Sequence, residues 1–154
     1  MVDWSPENLP EDVESERALL ATCCAPGAES MAAEIVFQLT EEDFVHPAHR
    51  AVFRALRTLL ERQVEVNALT LKDALTQSGE LGRVGGYAGL VELLIAEEVA
   101  RPQVLADILI SKRKLRQLIR LGSGLARQAA AQERSPDELV EQAAQDLFRL
   151  AQSR

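Results

Sequence analysis

Residues 135–150 read SPDELVEQAAQDLFRL, and this stretch decides the fold. Ser135 is a residue type that caps helix N-termini, and Pro136 suits the first helical position. Glu138 supplies the acidic residue of a capping box. Apolar residues then recur at helical spacing: Leu139, Val140, Ala143, Ala144, Leu147 and Leu150. The stretch therefore predicts a helix that begins after Ser135 and carries one continuous apolar seam.

A longer helix is predicted before this one. About thirty residues follow Arg101-Pro102 without another proline, and their apolar positions share a helical face: Val104, Leu105, Ile108, Leu115, Leu118, Ile119 and Leu125. Two glycines in Gly122-Ser123-Gly124 each cost about 1 kcal/mol in a helix, so we expect a bend or a close helix contact there. Because the connecting loop is short, residues 101–154 are predicted to form an antiparallel two-helix hairpin. Its seam is expected to include Leu139, Val140, Ala143 and Leu147.

Shorter helical segments fill residues 1–100. The clearest begins at Pro47 and continues to about Gln63, with apolar residues at Val52, Phe53, Leu56, Leu59 and Leu60. Other helix starts are predicted near Pro10, Ser30, Thr70 and Tyr87, and Val64–Val66 is the one candidate strand. Aromatic residues make up only 4% of the chain, which favours helices over a β-sandwich. We expect an all-α fold: a compact multi-helix globular head over residues 1–100, then the hairpin of residues 101–154 leading to a linker.

Charge is distributed unevenly along the chain. There are 17 basic and 24 acidic residues, a net charge of −7, so the whole chain is expected to be repelled by phosphate backbones. Residues 101–134 hold eight basic and two acidic residues, a local charge of +6 that leaves −13 for the rest. A candidate basic patch lies here, at Lys112, Arg113, Lys114 and Arg120. Since no aromatic residue interleaves with it, a solvated face or an acidic protein partner is favoured over nucleic acid.

Motifs for phosphate binding and nucleophilic catalysis are absent from the sequence. No Gly-x-x-x-x-Gly-Lys-Ser/Thr occurs, and the glycines at 82, 85 and 86 are not followed by a lysine. We interpret Gly85-Gly86 as supplying the backbone angles that start a helix. No serine or cysteine lies in a nucleophile elbow. We therefore predict no catalytic and no cofactor-binding residues.

A metal site is not predicted either. His46 and His49 lie near Asp43, but two histidines lack the remaining ligands of a metal site. We expect His46 to act as a turn residue before Pro47, and His49 to hydrogen-bond to Asp43 or pack. The adjacent pair Cys23-Cys24 is interpreted as buried, reduced thiols.

The hairpin is predicted to carry a surface for association. Two helices bury only one side of each other, so apolar positions are left over that need the head, a second subunit or a partner. Ile119 and Leu125 are our candidates, with Leu118 and Arg116 beside them. For Ile119 or Leu125 taken singly, a position in the hairpin's own seam is about as well supported as a position at an interface.

Several local patterns occur in a defined order. Glu42-Asp43-Phe44 precedes His46-Pro47-Ala48-His49-Arg50, Val84-Gly85-Gly86 follows Gly79-Glu80-Leu81, and Arg116-Gln117-Leu118-Ile119 comes later. Near the start, Pro10, Glu14 and Glu16 precede Ala18-Leu19-Leu20. In this order the patterns resemble the N-terminal domain of DnaB-type bacterial replicative helicases over nearly the whole chain. The resemblance implies a helical head followed by a two-helix hairpin.

The resemblance also implies a non-catalytic collar domain of a hexameric helicase that mediates oligomerisation and primase docking. The partners implied are further copies of the chain (a dimer, or a hexamer with the motor domain), primase and a helicase loader, with DNA met only through the parent helicase. ATP and Mg²⁺ belong to a C-terminal RecA-like motor domain that this chain lacks. We expect either a fragment of such a helicase or a stand-alone relative. Two alternatives remain open: a free-standing adaptor that binds helicase or primase, and a weak single-stranded DNA-binding element.

The compartment expected from the sequence is the cytoplasm. No apolar run approaches the roughly 18 residues of a membrane span. The acidic start, with no basic residue before Arg17, is unlike a signal peptide.

Overall fold

The computed structural model describes residues 8–95 and 100–153, and within these ranges the chain is helical with no strand. The predicted all-α class is confirmed, and the strand alternative at Val64–Val66 is not adopted. Seven α-helices follow in order: α1 (Val13–Cys23), α2 (Glu29–Val36), α3 (Pro47–Glu61), α4 (Ala68–Gln77), α5 (Gly86–Leu93), α6 (Pro102–Ala131) and α7 (Pro136–Gln152). Two short 3₁₀ turns lie at Glu41–Asp43 and Leu81–Val84.

The chain divides into two compact units. The head unit is Asp12–Ile110, and the hairpin unit joins the described part of Met1–Glu11 to Ser111–Arg154. Helix α6 runs through the boundary between the units without interruption. The head is therefore a continuous piece of chain, whereas the hairpin unit is assembled from two separate pieces.

The helix starts follow the local chemistry of the sequence. Ser135 Oγ accepts a hydrogen bond from the Glu138 N–H at 3.2 Å, so the predicted cap of α7 is confirmed. The predicted start of α4 is wrong, because Asn67 rather than Thr70 is the cap. The Asn67 side-chain oxygen accepts from the N–H groups of Leu69 and Thr70, both at 2.9 Å. Thr70 instead closes the capping box by accepting from the Asn67 N–H at 3.0 Å.

The core of the head unit is aliphatic with two central aromatic rings. Phe44 and Phe53 are fully buried and stack with their ring centroids 4.8 Å apart. The first turns of α6 add three residues to the same core: Leu105, Ala106 and Leu109. The beginning of α6 is therefore fixed to the head by apolar burial.

A buried carboxylate joins α1 to the start of α3. Glu16 is 1% exposed and accepts hydrogen bonds from the N–H groups of Val45 at 2.9 Å and His46 at 3.2 Å. Its Oε1 also lies 2.9 Å from Nδ1 of His49. His49 therefore bonds Glu16 in place of the expected Asp43, while the alternative expectation that His49 packs is confirmed, since it is 5% exposed. Glu16 was the missed partner, since it lies 33 residues away in the chain.

Glycines set the turn before α5. Gly85 and Gly86 have φ angles of 89° and 71°, so their predicted conformational role is confirmed. Gly89 has a different role, because a Cβ there would overlap the carbonyl oxygen of Val84. The turn thus packs directly on the backbone of α5.

Helix α6 continues through Gly122-Ser123-Gly124 as one helix from Pro102 to Ala131. A Cβ at Gly122 or Gly124 would meet no atom within 4 Å in the described part of the chain. The close contact expected at these glycines is therefore not made by the described residues of this chain.

Candidate assembly surface

The hairpin carries an open apolar groove of about 890 Å³ between the second half of α6 and α7. Leu125 and Ala129 line it from α6. Leu139, Val140, Ala143 and Leu147 line it from α7. We call this set of six residues the hairpin groove.

The residues predicted for the hairpin seam differ in their exposure. Leu139 is 7% exposed and lies in the seam, whereas Val140 is 68% exposed and Leu147 is 47% exposed. The expectation that Val140 and Leu147 are buried against α6 is wrong. Apolar residues occupy a broad arc of α7, and one neighbouring helix covers only one side of that arc.

Phe148 extends this exposed face and was not singled out from the sequence. Its side chain is 67% exposed. It lies eight residues after Val140, which places both on one face of α7. That spacing was the signal available in the sequence.

The four predicted association residues do not form one cluster. Leu125 is half-buried and lines the groove. Leu118, seven residues earlier on the same face of α6, is 43% exposed, and Ile119 is half-buried. Arg116 is 3% exposed, and its Nη1 donates a hydrogen bond to the carbonyl oxygen of Pro10 at 2.9 Å. Arg116 therefore contacts the N-terminal segment of the hairpin unit.

The candidate basic patch is also partly covered. Arg113 is 7% exposed, Lys112 and Lys114 are half-buried, and Arg120 is exposed. The patch is thus not a uniformly solvated face.

Two carboxylates of the head have shifted pKa values. The Arg54 guanidinium donates hydrogen bonds to Glu80, and this holds the pKa of that carboxyl below its usual range. The Val66 N–H donates to Glu29 Oε1 at 3.1 Å, which lowers the pKa of Glu29. Both groups fix loops to helices of the head.

The two cysteines are free and buried. Burial raises the pKa of Cys23 to about 12, and it raises the pKa of Cys24 further. Because the thiolate is the reactive form of cysteine, these side chains behave as small apolar core residues at neutral pH.

No group of three or more histidine, cysteine or acidic side chains within residues 8–95 and 100–153 is placed to hold a metal ion. The turn at Gly85-Gly86 does not fit a phosphate-binding loop, because no lysine follows and Gly89 serves helix packing. None of the described helices has the length and hydropathy of a membrane span.

The helical head and the grooved hairpin define an all-α domain class, and comparisons with known proteins identify the family. The sequence pattern described as "DnaB-like helicase N terminal domain" matches residues 8–102, and the chain belongs to this family. It is 32% identical over 145 residues to the replicative DNA helicase DnaB of Geobacillus stearothermophilus, covering 93% of this chain and 31% of that protein. It is 29% identical over 157 residues to the replicative DNA helicase DnaC of Bacillus subtilis, covering 99% of this chain and 34% of that protein.

A solved structure supports the same assignment. The crystal structure of the N-terminal domain of DnaB helicase from Mycobacterium tuberculosis matches with a TM-score of 0.80 and 26% identity, covering 92% of this chain and 99% of that one. The chain therefore spans about a third of the length of these two helicases, and the part matched is the N-terminal domain.

Proposed function

We propose that this chain is the non-catalytic assembly domain of a hexameric replicative DNA helicase, and that copies associate through the hairpin groove. The observation that carries the proposal is the exposure of apolar side chains along one side of the hairpin, above all Val140, Leu147 and Phe148. Apolar surface left in water costs about 25 cal/mol per Å², so covering this face stabilises an assembly. A second hairpin presents the same face and completes a symmetric pair.

The glycine in the middle of α6 supports this proposal. Gly122 is exposed, lies four residues after Leu118, and would have open space around an added Cβ among the described residues. A glycine in a helix interior costs about 1 kcal/mol relative to alanine, and no packing contact among the described residues requires one at this position. Close approach of a second helix along the line from Leu118 to Ala129 gives this glycine a role.

Primase docking is the second function we propose for the same domain. An apolar groove between two helices accommodates an amphipathic helix, which is one of the recurring modes of peptide recognition. We propose primase as the partner and a helicase loader as a further one, because the family belongs to replicative helicases. In the parent helicase, a motor domain would use ATP and Mg²⁺ and contact DNA in the cytoplasm.

Two matched substitutions test the assembly proposal. Val140 and Leu69 are similarly exposed, at 68% and 65%, but Val140 lies on the hairpin groove and Leu69 on the head. We expect Val140→Asp to weaken self-association about tenfold or more, as measured by sedimentation equilibrium, because a charge would enter the buried interface. Leu69→Asp is expected to leave association unchanged.

Circular dichroism and thermal unfolding accompany both variants. The proposal fails if Val140→Asp keeps its helicity and associates as strongly as the original chain. It also fails if both variants lose association equally. For primase, a fluorescently labelled primase helical domain titrated against the same pair distinguishes docking in the groove from docking on the head.

A further inference from the structure

A second groove lies on the head unit, between α3 and α4. Its volume is about 600 Å³, and along α3 it extends from Arg54 to Arg62. This part of α3 rises about 12 Å, which is the length of roughly two helical turns. Every residue that lines the groove lies between Arg54 and Glu80, so the groove belongs to the head unit alone. We call it the head groove.

Small apolar side chains form the floor of the head groove. Ala55 and Leu59 of α3 are buried and belong to the core. Ala74 of α4 is half-buried and packs against the same core. Because two of these three side chains are single methyl groups, space is left above the floor, and an apolar side chain from another molecule fits between the two helices.

Leu69 lies on the rim of the head groove, and its side chain is 65% exposed. The fold uses its backbone, since the Leu69 N–H donates to the Asn67 side-chain oxygen at 2.9 Å in the cap of α4. Any residue except proline supplies that N–H, so the cap does not account for a leucine. Val64, also on the rim, differs: its N–H donates to the Leu59 carbonyl oxygen at 2.9 Å and closes the end of α3, where an apolar residue is usual. Leu69 is therefore the apolar rim residue without a structural role.

The charged side chains of the head groove are paired at one end and open at the other. The three arginines within α3 each form an ion pair with a carboxylate: Arg50, Arg54 and Arg57. Arg62 caps the C-terminus of α3 and is exposed, and no carboxylate of the described residues pairs with it. Its guanidinium offers a planar pair of donors to a carboxylate from outside.

We propose that the head groove binds an amphipathic helix of a partner protein, with an apolar side chain entering between α3 and α4 and an acidic side chain pairing with Arg62. Amphipathic helices are recognised by grooves of this kind, in which an apolar floor lies between two helices and a charge flanks it. The proposal stands independently of the assembly function, because the head groove and the hairpin groove lie in different units.

The probe is a phage-displayed library of random peptides about sixteen residues long, which is enough to cover two helical turns with flanking residues. Selection uses the full chain, and selected peptides are then measured by fluorescence anisotropy against Leu69→Asp and Ile95→Asp. Leu69 and Ile95 are similarly exposed, at 65% and 62%, but Ile95 does not line the groove. We expect a class of peptides that binds Leu69→Asp about tenfold more weakly and binds Ile95→Asp unchanged.

The charge of Arg62 gives a second readout. Peptides of this class are expected to carry an acidic residue beside apolar residues at helical spacing. Arg62→Glu is expected to weaken their binding about fivefold at low salt and less at high salt, because salt screens an exposed ion pair. Selection repeated on Arg62→Glu is expected to enrich a basic residue in place of the acidic one. Arg57→Glu is the matched control, since Arg57 lies on α3 but does not line the groove.

Circular dichroism accompanies each variant, and Leu69→Gln replaces Leu69→Asp if the latter loses helicity. The proposal is overturned if no selected peptide distinguishes Leu69 from Ile95 substitutions. It is also overturned if the peptides that do so are insensitive to Arg62→Glu, or if they tolerate a proline in the middle of the peptide, which a bound helix does not. Weaker self-association of Leu69→Asp in sedimentation equilibrium assigns the groove to a second copy of the chain and overturns the assignment to a partner protein.

Discussion

Replacing Glu16 by Gln tests whether the buried carboxylate fixes α1 to the start of α3. Its Oε1 accepts from His46 N–H and meets His49, while its Oε2 accepts from Val45 N–H. If the amide oxygen of Gln takes the place of Oε1, it keeps the contacts with the His46 N–H and with His49. Its NH₂ group then faces the Val45 N–H, which leaves a buried donor without an acceptor.

The cost of this substitution follows from the hydrogen bonds. An unsatisfied buried donor costs about 1–3 kcal/mol, and each of the two remaining bonds loses about 1 kcal/mol when its acceptor becomes neutral. Relief from burying a charge offsets part of the sum. We expect Glu16→Gln to lower the free energy of unfolding by about 3 kcal/mol, equivalent to a fall in Tm of about 12–24 °C for a unit of this size.

The assay is unfolding in urea at pH 7, followed by circular dichroism at 222 nm, together with a thermal scan. Glu34→Gln is the control, because Glu34 is exposed on α2 and surface substitutions of this kind stay within about 0.5 kcal/mol. A Glu16→Gln variant as stable as this control would refute the reasoning. It would mean that Gln reorients, or that water satisfies the Val45 N–H.

Three further predictions concern the head. Gly89→Ala is expected to lower the free energy of unfolding in urea by about 2–3 kcal/mol, because the added Cβ overlaps the Val84 carbonyl oxygen. A loss below about 0.5 kcal/mol would contradict that packing. Native protein is expected to react with Ellman's reagent much more slowly than unfolded protein at pH 7.5, since burial raises the pKa of Cys23 to about 12; equal rates would refute this. Because Arg54 lowers the pKa of Glu80, that carboxylate contributes stability above its unfolded pKa and loses it as pH falls through the folded value. The stability difference between the original chain and Glu80→Gln is therefore expected to shrink below about pH 4.5, and a difference constant down to pH 2.5 would contradict it.

Local signals in the sequence predicted the helices well. Ser135-Pro136 and His46-Pro47 each place a cap immediately before a proline in the first helical position, and both helices begin there. Such signals act within one turn of chain, so they can be read without knowledge of tertiary contacts. The cap of α4 was missed, because Thr70 was predicted as its start whereas Asn67, three residues earlier, is the cap.

The candidate site was less predictable, because exposure depends on neighbours distant in sequence. Leu139 and Val140 are adjacent and both apolar, yet only Leu139 is buried. Which of them faces α6 depends on the rotation of α7 in the hairpin, and a broad apolar arc does not specify that rotation. Arg116 likewise has a hydrogen-bond partner, Pro10, that lies 106 residues earlier in the chain.

The division of the hairpin unit between two distant pieces of chain has a consequence for the order of events during synthesis. The head unit, Asp12–Ile110, is one uninterrupted piece and can fold as soon as it has left the ribosome. Pro10 is made early, but its contact requires Arg116, which is added 106 residues later. At about 5–20 residues per second, the carbonyl oxygen of Pro10 is made roughly 5–20 s before its partner. Since the head ends at Ile110, the hydrogen bond between Pro10 and Arg116 forms only after the whole head has been synthesised.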